Sequence, residues 1–398
     1  MSTEADVVKS KLQNGLAIDL SKLDTVKVDQ SAGTLTIGGG VRVGQIFDPV
    51  YNAGFELQTL TSQCPGMLGG TLGAGVGRDG GRYGLMIDSL LSVRLVTADA
   101  QLIEVSAGCN ADLFWAIRGA GANFGIVTSA TYELHRIAND GSYDGHVTSI
   151  DVIFPANKSA DYFDTVVDSF NGSLPANVAS ETLVMYDAEA NAPRLVANWV
   201  YFGPEAEARK VLAPILNLQP VALSVNFVPW NQLANTFLLG TDPQSCPGNR
   251  SENIYGINMR AMSASTYKAA VEKMSQFYVD HADGRQAMLS LEMFPNQAAL
   301  AVPDDATAYP WRDTVAHLLI LLNEAGEAGD ALGRQLRSDF AETSGYPDLT
   351  VYVNYAHGDE PLENIYGRTK LPRLAALKNK WDPGNVFGFN NALPTRYP

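Results

Sequence analysis

Residues Cys64–Gly84, CPGMLGGTLGAGVGRDGGRYG, contain the densest run of glycine in the chain. Nine of the 36 glycines lie in Gly66–Gly84. Because glycine has no side chain to pack and loses the most backbone entropy on folding, such a run predicts a loop rather than a helix or strand interior. The loop's backbone is expected to lie against a large flat or phosphorylated ligand. A flexible linker is the alternative, but linkers are polar, and this run contains Met67, Leu68 and Leu72.

The same run contains a literal GxGxxG pattern at Gly75–Gly80, with Asp99 about 20 residues further on, as in a dinucleotide-binding fingerprint. That fingerprint needs an apolar strand before it and a helix after it. Here Cys64-Pro65 precedes the pattern, and the glycines of Gly80–Gly84 disfavour a helix. The sequence therefore argues against a Rossmann site.

Composition and charge exclude several classes of function. The chain has 398 residues, 46% hydrophobic and 18% charged, with a net charge of −15 and no Lys/Arg cluster. These values are typical of a globular protein with a large core, and they argue against binding to nucleic acid or anionic membranes. We find no apolar window of transmembrane length and no signal-peptide core at the N-terminus, which favours an intracellular protein.

The cysteines and histidines do not form a recognisable pattern. Cys64, Cys109 and Cys246 are too few and too scattered for a disulfide framework or a metal site. The five histidines include no HxH or HExxH pair, so we expect no zinc site.

The texture of the sequence changes twice and predicts three segments of an α+β protein, covering residues 1–138, 139–345 and 346–398. The first segment alternates short strands with glycine-rich turns, the second has longer strands and amphipathic helices, and the third has one strand and one helix. The mixture predicts an antiparallel sheet covered by helices in the second segment. The predicted strands are Gly15–Ser21, Val26–Asp29, Thr34–Ile37, Leu90–Ala98, Leu102–Ala107, Ile126–Leu134, His146–Phe154, Glu181–Tyr186, Arg194–Phe202, Val221–Phe227, Ile254–Met262, Gln286–Met293, Val315–Leu322 and Leu349–Tyr355. The predicted helices are Val43–Ala53, Ala111–Arg118, Ser159–Phe170, Pro204–Leu216, Ala264–Asp280, Glu327–Thr343 and Pro372–Lys380.

Several side chains are candidates for chemistry, each with a structural alternative. Cys64 is either a buried filler or a reactive thiol. Glu292, on an apolar strand, is either a solvated carboxylate or a base in a pocket, and His317 resembles a core histidine. In Leu349–Tyr355 the residues Tyr352, Asn354 and Tyr355 alternate with valines, which suits hydrogen bonding to a heteroaromatic ligand but also an ordinary half-exposed strand.

Taken together, several stretches resemble the berberine-bridge-enzyme-like branch of the FAD-linked oxidoreductases, which have the vanillyl-alcohol-oxidase (PCMH-type) fold. They span nearly the whole chain in the family's order. The resemblance implies a PCMH-type FAD-binding domain (residues 1–138), a substrate-binding domain (139–345) and a C-terminal segment that returns to the FAD domain. The matching residues are Gly15–Leu23, Gly38–Gly44 (GGGVRVG), Cys64–Leu85, Asp88–Val96, Ala111–Leu134 (ADLFWAIRGAGANFGIVTSATYEL), Tyr352–Tyr355 (YVNY) and Trp381–Phe389 (WDPGNVFGF).

The resemblance also implies roles at matching positions. Cys64-Pro65 falls where many members carry a cysteine bonded to the flavin, and the loop Gly69–Gly75 passes along the flavin. Tyr83, Gly84 and Asp88 support that loop, and the turn Asn123–Val127 binds the cofactor through its backbone. Asn354 and Tyr355 approach the flavin from the C-terminal segment. The implied cofactor-binding residues are Cys64, Pro65, Gly69, Gly70, Gly73, Gly75, Tyr83, Gly84, Asp88, Gly125, Ile126, Val127, Asn354 and Tyr355.

The sequence departs from the family's pattern in three places. It lacks the N-terminal segment whose Arg-x-Gly-Gly-His loop wraps the FAD pyrophosphate. The spacing at Cys64-Pro-Gly-Met-Leu-Gly-Gly is shorter than usual. The family's acid/base residue lies on a strand matching Val315–Asn323, where this sequence has Leu319 at the matching position and offers only His317 and Asn323.

The leading hypothesis is an FAD-linked oxidoreductase, an oxidase or dehydrogenase of a small hydrophobic or phenolic metabolite in secondary metabolism. Glu292, His317 and Tyr355 are the candidate catalytic residues, since such a reaction needs a group that takes a proton. The first alternative is a flavin-free isomerase, cyclase or dehydratase on the same fold. The second is a non-catalytic pseudo-enzyme.

Overall fold

The computed structural model describes residues 16–138, 143–170, 173–240, 253–322 and 325–397. The chain forms two compact units. The terminal unit comprises residues 16–137, Asn296–Arg312 and 352–397, and the central unit comprises the described parts of Ala138–Pro295 and Asp313–Val351. The segment Asn296–Arg312, which the sequence assigned to the substrate domain, thus belongs to the terminal unit. Gly15, Cys246 and Asn323 lie outside the described residues.

The strands of the terminal unit come first in the chain. They form a five-stranded antiparallel sheet in the order β1-β2-β6-β4-β5 and a separate pair, β3-β7. Leu35, Ile37, Val93 and Leu95 are fully or almost fully buried on this sheet. The strands are β1 Val26–Asp29, β2 Thr34–Gly38, β3 Phe55–Glu56, β4 Leu90–Val96, β5 Leu102–Ser106, β6 Ile126–Glu133 and β7 His135–Arg136.

The central unit contains a seven-stranded antiparallel sheet in the order β11-β8-β10-β9-β13-β14-β12. Ile150, Val152 and Leu291 lie on one face of it, in a core that also contains aromatic side chains of three long helices. This arrangement confirms the predicted α+β class, with a sheet covered by helices. The strands are β8 His146–Pro155, β9 Val178–Asp187, β10 Ala192–Tyr201, β11 Ala222–Pro229, β12 Ile254–Met259, β13 Met288–Met293 and β14 Ala316–Leu321.

The helices follow the predicted order with some additions. Helices α5, α9 and α11 pack on one face of the central sheet, and all three lie within one residue of the predicted bounds because each has a regular apolar stripe. The helices are α1 Phe47–Asn52, α2 Met67–Gly73, α3 Gly80–Tyr83, α4 Ala111–Ala120, α5 Ser159–Phe170, α6 Glu205–Val211, α7 Ala213–Leu216, α8 Leu233–Gly240, α9 Ala264–Asp280, α10 Gln297–Ala301, α11 Gly326–Thr343, α12 Leu362–Tyr366 and α13 Leu371–Trp381. Helix α8 was not predicted, and the predicted helix Pro204–Leu216 divides at Leu212.

Two predicted strands are wrong. Residues 16–20 have no regular structure, and the Asp19 carboxylate accepts the Ser21 amide in a local turn that competes with strand formation. Leu349–Tyr355 also lacks a strand and ends in a 3-10 turn at Val353–Tyr355. Its polar side chains bond to backbone groups of the glycine run, as described below.

The prediction that the glycine run is a loop is also wrong in part. It contains helix α2 and the single turn α3. A Cβ at Gly70 would overlap Leu60, and one at Gly73 would overlap the Asn354 amide. Close packing that only glycine permits therefore outweighs the low helix propensity of these residues.

Candidate functional site

The residues Cys64-Pro65-Gly66 lead into helix α2 along a short backbone ladder. The Val43 amide donates to the Pro65 carbonyl (3.0 Å), the Met67 amide donates to the Val41 carbonyl (2.9 Å), and the Arg42 guanidinium donates to the Cys64 carbonyl (3.0 Å). Cys64 is buried and disulfide-bonded. A bond from this sulfur to a flavin therefore requires the disulfide to open.

Hydrogen bonds of Tyr352 link the C-terminal segment to the glycine run. Its hydroxyl accepts from the Gly75 amide (3.0 Å) and from the Asn354 amide group (2.7 Å), and it donates to the Gly70 carbonyl (3.2 Å). Asn354 also donates to the Gly70 carbonyl (3.1 Å). Tyr355 packs edge-on against the Tyr352 ring, with centroids 4.9 Å apart. The structure thus brings together Gly70, Gly73, Gly75 and Asn354, four of the predicted cofactor residues.

Tyr83, Gly84 and Asp88 stabilise the far end of the glycine run. The Tyr83 hydroxyl donates to Glu56 (3.0 Å), its ring stacks on His135, and burial together with the Glu56 charge raises the pKa of Tyr83. Gly84 has φ +80°, and a Cβ there would press on the Asp88 carboxylate. Asp88 forms a two-pronged ion pair with the buried Arg312 at 2.8 and 2.9 Å. These contacts are consistent with a supporting role.

The turn Asn123–Val127 is held by the C-terminal helix and the residues after it. The Lys378 ammonium donates to the Asn123 carbonyl (2.8 Å), to Asp382 (2.7 Å) and to the Phe387 carbonyl (3.0 Å). The Asn123 side chain donates to the Tyr366 hydroxyl and accepts the Leu393 amide. The predicted cofactor residues of this turn lie at its end. Gly125 is half-buried, and Ile126 and Val127 begin β6, where they pair with Val96 and Leu95.

The terminal unit fits a bound flavin at the start of helix α2. A Cβ added at Gly66 meets no atom within 4 Å, and Gly69, on the next part of the helix, is exposed. Flat, side-chain-free backbone thus adjoins Cys64. The amides of the first turn of a helix have no acceptor within that helix. The Met67 amide already donates to the Val41 carbonyl, so the amides of Leu68 and Gly69 are the ones that could face a polar ring edge.

In the central unit, Glu292 and His317 lie side by side on the sheet face opposite helices α5, α9 and α11. They are directly paired residues of β13 and β14, and they are only 3% and 4% exposed. The solvated alternative for Glu292 is therefore wrong. Leu319, two residues along β14 on the same face, is buried and has no acid/base group.

His317 is a neutral group in this setting. Burial lowers the pKa of His317 to about 3, because charging the ring in an apolar environment is costly. Its Nδ1 lies 2.9 Å from the Asn258 Oδ1. Since a carboxamide oxygen accepts, Nδ1 carries the proton, and Nε2 is left as an acceptor.

Glycine-rich backbone joined to a polar C-terminal segment, with buried acid/base groups on a separate sheet, is the organisation of a flavin-dependent oxidoreductase. Models of two families match the chain, namely "FAD binding domain" over residues 2–106 and "Berberine and berberine like" over residues 351–394. The chain is 46% identical over 394 residues to the FAD-linked oxidoreductase fogF of Aspergillus ruber, covering 97% of this chain and 79% of that one. It is 44% identical over 395 residues to the FAD-linked oxidoreductase srdI of Neurospora crassa, covering 98% and 77%.

The fold is also similar to that of solved structures of BBE-like proteins. The Physcomitrella patens BBE-like 1 structure matches with a TM-score of 0.80 at 22% identity, covering 95% of this chain and 81% of that one. The protein belongs to the berberine-bridge-enzyme-like FAD-linked oxidoreductases, and its cofactor is FAD. The family prediction is thereby confirmed, and the flavin-free alternatives lose their support. In the described residues no helix is both long and apolar enough to cross a membrane.

Sequence reasoning left out several residues that the structure places at these sites. Their signals were weak because most of their partners are distant in sequence. Tyr352 was noticed as part of a polar pattern, but its bonds to the glycine run could not be predicted from it. The others are Arg312, Lys378, Asp382, Glu181 and Asn258.

Proposed function

We propose that this FAD-linked oxidoreductase oxidises a small, largely hydrophobic metabolite with one hydroxyl or phenolic group, in a biosynthetic pathway of secondary metabolism. In this proposal the terminal unit binds FAD and the central unit binds the substrate. The single observation that carries it is the buried carboxylate of Glu292 beside the neutral imidazole of His317. Several nearby positions on the same sheet face are apolar, including Leu183, Val196 and Leu319, which supports a mainly hydrophobic substrate.

The chain's residues would divide the chemistry between them. With an alcohol substrate, Glu292 accepts the hydroxyl proton as the carbon that bears this hydroxyl loses a hydride and becomes a carbonyl carbon. With a phenolic substrate, it accepts the phenol proton as a CH group of an ortho or para ring substituent loses the hydride, which gives a quinone methide. Bound FAD supplies the two-electron acceptor for that hydride. His317, whose Nε2 is an acceptor, holds a donor hydrogen of the substrate or of Glu292. Tyr355, in the terminal unit, remains a further candidate.

The cofactor contacts belong to the same proposal. Pro65, Gly69, Gly70, Gly73 and Gly75 present backbone to the flavin, while Asn354 fixes that backbone from the C-terminal side. The turn at Gly125, Ile126 and Val127 contacts it through main-chain groups. Tyr83, Gly84 and Asp88 support the glycine run through their own contacts.

The cofactor part is tested by the absorbance spectrum of the purified protein before and after acid precipitation. A flavin spectrum is expected, and its distribution between precipitate and supernatant shows whether the bond to Cys64 forms. A reducing agent in a parallel sample opens the disulfide of Cys64. Protein that is colourless and takes up no FAD on reconstitution would contradict the proposal.

The catalytic part is tested with Glu292→Gln, which keeps the size of the side chain and removes the base. We expect kcat for flavin reduction by an alcohol or phenol substrate to fall by about 10²- to 10⁴-fold, with flavin content unchanged. Glu189→Gln, at an exposed turn of the same unit, is the matched control. Equal rates in both variants would remove Glu292 from the mechanism.

A further inference from the structure

The sequence contains three Asn-x-Ser tripeptides, and all three fall within the residue range of the central unit. Asn-x-Ser, with any residue but proline in the middle, is the acceptor pattern for N-linked glycosylation. A pattern this short also arises by chance, so it needs independent support. The tripeptides begin at Asn157, Asn171 and Asn249, of which Asn171 and Asn249 lie outside the described residues.

Asn157 lies in an exposed turn between strand β8 and helix α5. The turn is a 3-10 turn over Ala156–Lys158, and none of its residues is buried. Asn157 is exposed, and within the described part of the chain its side-chain amide forms no hydrogen bond. A glycan is bulky and must project into solvent. Asn157 therefore offers an attachment point at which a glycan displaces no packed group.

The other two residues of the tripeptide stabilise the same turn. The Lys158 ammonium donates to the Asp161 carboxylate at the surface (2.9 Å), and the Ser159 hydroxyl donates to the Ala156 carbonyl (2.8 Å). Ser159 is only 8% exposed in the folded chain. Its burial is no obstacle, because the oligosaccharide is transferred to the chain before it folds. The hydroxyl is then accessible to the enzyme that recognises the tripeptide.

Cys64 supplies the independent support. It is disulfide-bonded, whereas Cys109 is exposed and free. Disulfides form and persist in oxidising compartments and are rare in the cytosol, where thiols are kept reduced. The sequence pattern favoured an intracellular protein, but the disulfide favours the oxidising compartments of the secretory pathway. Asparagine-linked oligosaccharides are added in the same compartments.

We propose that this protein passes through an oxidising secretory compartment and carries an N-linked oligosaccharide on Asn157. The donor is a lipid-linked oligosaccharide diphosphate. The Asn157 side-chain nitrogen forms a bond to the anomeric carbon of the first sugar, while the bond from that carbon to the diphosphate oxygen breaks. The nitrogen loses one proton and the lipid diphosphate leaves, so the transfer involves no oxidation or reduction.

The attachment point is remote from the candidate catalytic groups of the central unit. Strand register places Asp151 of β8 in line across the sheet with Glu292, and Pro155 lies four residues further along β8, which corresponds to about 13 Å. Three strand spacings separate β8 from β13, which adds about 14 Å across the sheet. An oligosaccharide on Asn157 is therefore expected to leave turnover unchanged.

The site is tested on the protein isolated from the organism that makes it. Enzymatic removal of N-linked glycans in heavy-oxygen water converts each glycosylated asparagine into a labelled aspartate, and peptide mass spectrometry locates the label. We expect the label at Asn157. A preparation in which every Asn157 peptide is unmodified would overturn the proposal.

Two substitutions of Ser159 in the same host separate glycosylation from a structural role of the turn. Ser159→Thr keeps the hydroxyl and the acceptor pattern, so the label at Asn157 should persist. Ser159→Ala removes the pattern but leaves Asn157 in place, so the label should be lost completely, with kcat and flavin content unchanged. A glycan that persists at Asn157 in Ser159→Ala would contradict the assignment.

Asn217→Gln is the matched control. Asn217 is an exposed asparagine of the same unit, and Gln219 stands where the pattern needs serine or threonine. This variant should keep the label at Asn157, whereas Asn157→Gln should lose one glycan. Equal glycan content in the two variants would also overturn the proposal.

The oxidising compartment is tested by thiol labelling of the same native protein. Iodoacetamide, added to protein that is unfolded but not reduced, should modify Cys109 and leave Cys64 unmodified. Modification of both cysteines would show that the protein does not keep its disulfide, and would overturn the compartment on which the proposal rests. Neither measurement depends on substrate or flavin, so the outcome is independent of the proposed function.

Discussion

The terminal and central units place their candidate functional groups by different means. In the terminal unit the predicted flavin contacts are mostly backbone groups, and side chains from the end of the sequence fix them, above all Tyr352 and Lys378. In the central unit the candidates are side chains, and strand register alone aligns Glu181, Glu292 and His317. Substitutions in the terminal unit should therefore affect cofactor binding and stability together. Those at Glu292 and His317 in the central unit should affect proton transfer and pH dependence while the fold persists.

Lys378→Met is the sharpest test of the expectation that substitutions in the terminal unit affect cofactor binding and stability together. Lys378 and Asp382 are completely buried, and removing one member of a buried ion pair costs about 3–5 kcal/mol because the other charge loses its partner. The Asn123 and Phe387 carbonyls lose their donor as well. We expect a large drop in Tm and in the flavin content of the purified protein.

Lys380→Met is the matched control, two residues along the same helix. In its ion pair with Asp112, the lysine is exposed and the aspartate is only half-buried, so the loss should cost no more than about 1 kcal/mol. If the two variants melted at the same temperature, the C-terminal helix would not hold the Asn123 turn in the way the contacts indicate.

Gly75→Ala is expected to have the next largest effect. Gly75 has φ +75°, which disfavours any side chain, and a Cβ would overlap Met86. Strain and overpacking together should destabilise the protein by about 3 kcal/mol. Thermal unfolding and a flavin titration would measure it. Gly108→Ala is the control, since a Cβ at Gly108 meets no atom within 4 Å, and comparable losses in the two variants would contradict the packing argument.

The central unit should respond to pH instead, through His317. Between pH 6.5 and about pH 3 the unfolded chain binds a proton at His317 that the folded chain does not, so stability falls as the pH is lowered through this window. From pH 7.5 to pH 5 the loss from this one group should be about 2 kcal/mol. His317→Gln, whose amide can still donate to Asn258, should show a smaller decrease over the same range. Denaturant titrations at the two pH values measure the free energy of unfolding of each protein. An equal decrease in the wild type and in His317→Gln would exclude a buried neutral histidine.

The sequence predicted more of the terminal unit than of the candidate site in the central unit, for physical reasons. Motifs such as Cys64–Gly84 and Trp381–Phe389 are local, so the family, the α+β class and most elements followed from them. Whether glycines form a loop or a helix depends on what packs against them, and Leu60 and Asn354 settle that for α2. The pairing of Glu181 with Glu292 depends on the register between strands more than 100 residues apart in the chain, which one sequence does not reveal.

The smallest expected effect is that of Tyr352→Phe, and it tests how rigid the glycine run must be. The substitution keeps the ring that packs on Tyr355 and removes only the hydroxyl. The Gly75 amide loses its acceptor and the Gly70 carbonyl loses one of two donors, because Asn354 still donates to it. The cost should be about 1–2 kcal/mol, the value of one unsatisfied buried group, and weaker flavin binding with a shifted flavin spectrum should accompany it. Tyr186→Phe, whose hydroxyl bonds to Asn191 in a surface turn, should change neither measurement. A Tyr352→Phe protein with wild-type flavin affinity would show that helix α2 and its glycines position the cofactor backbone without the C-terminal segment.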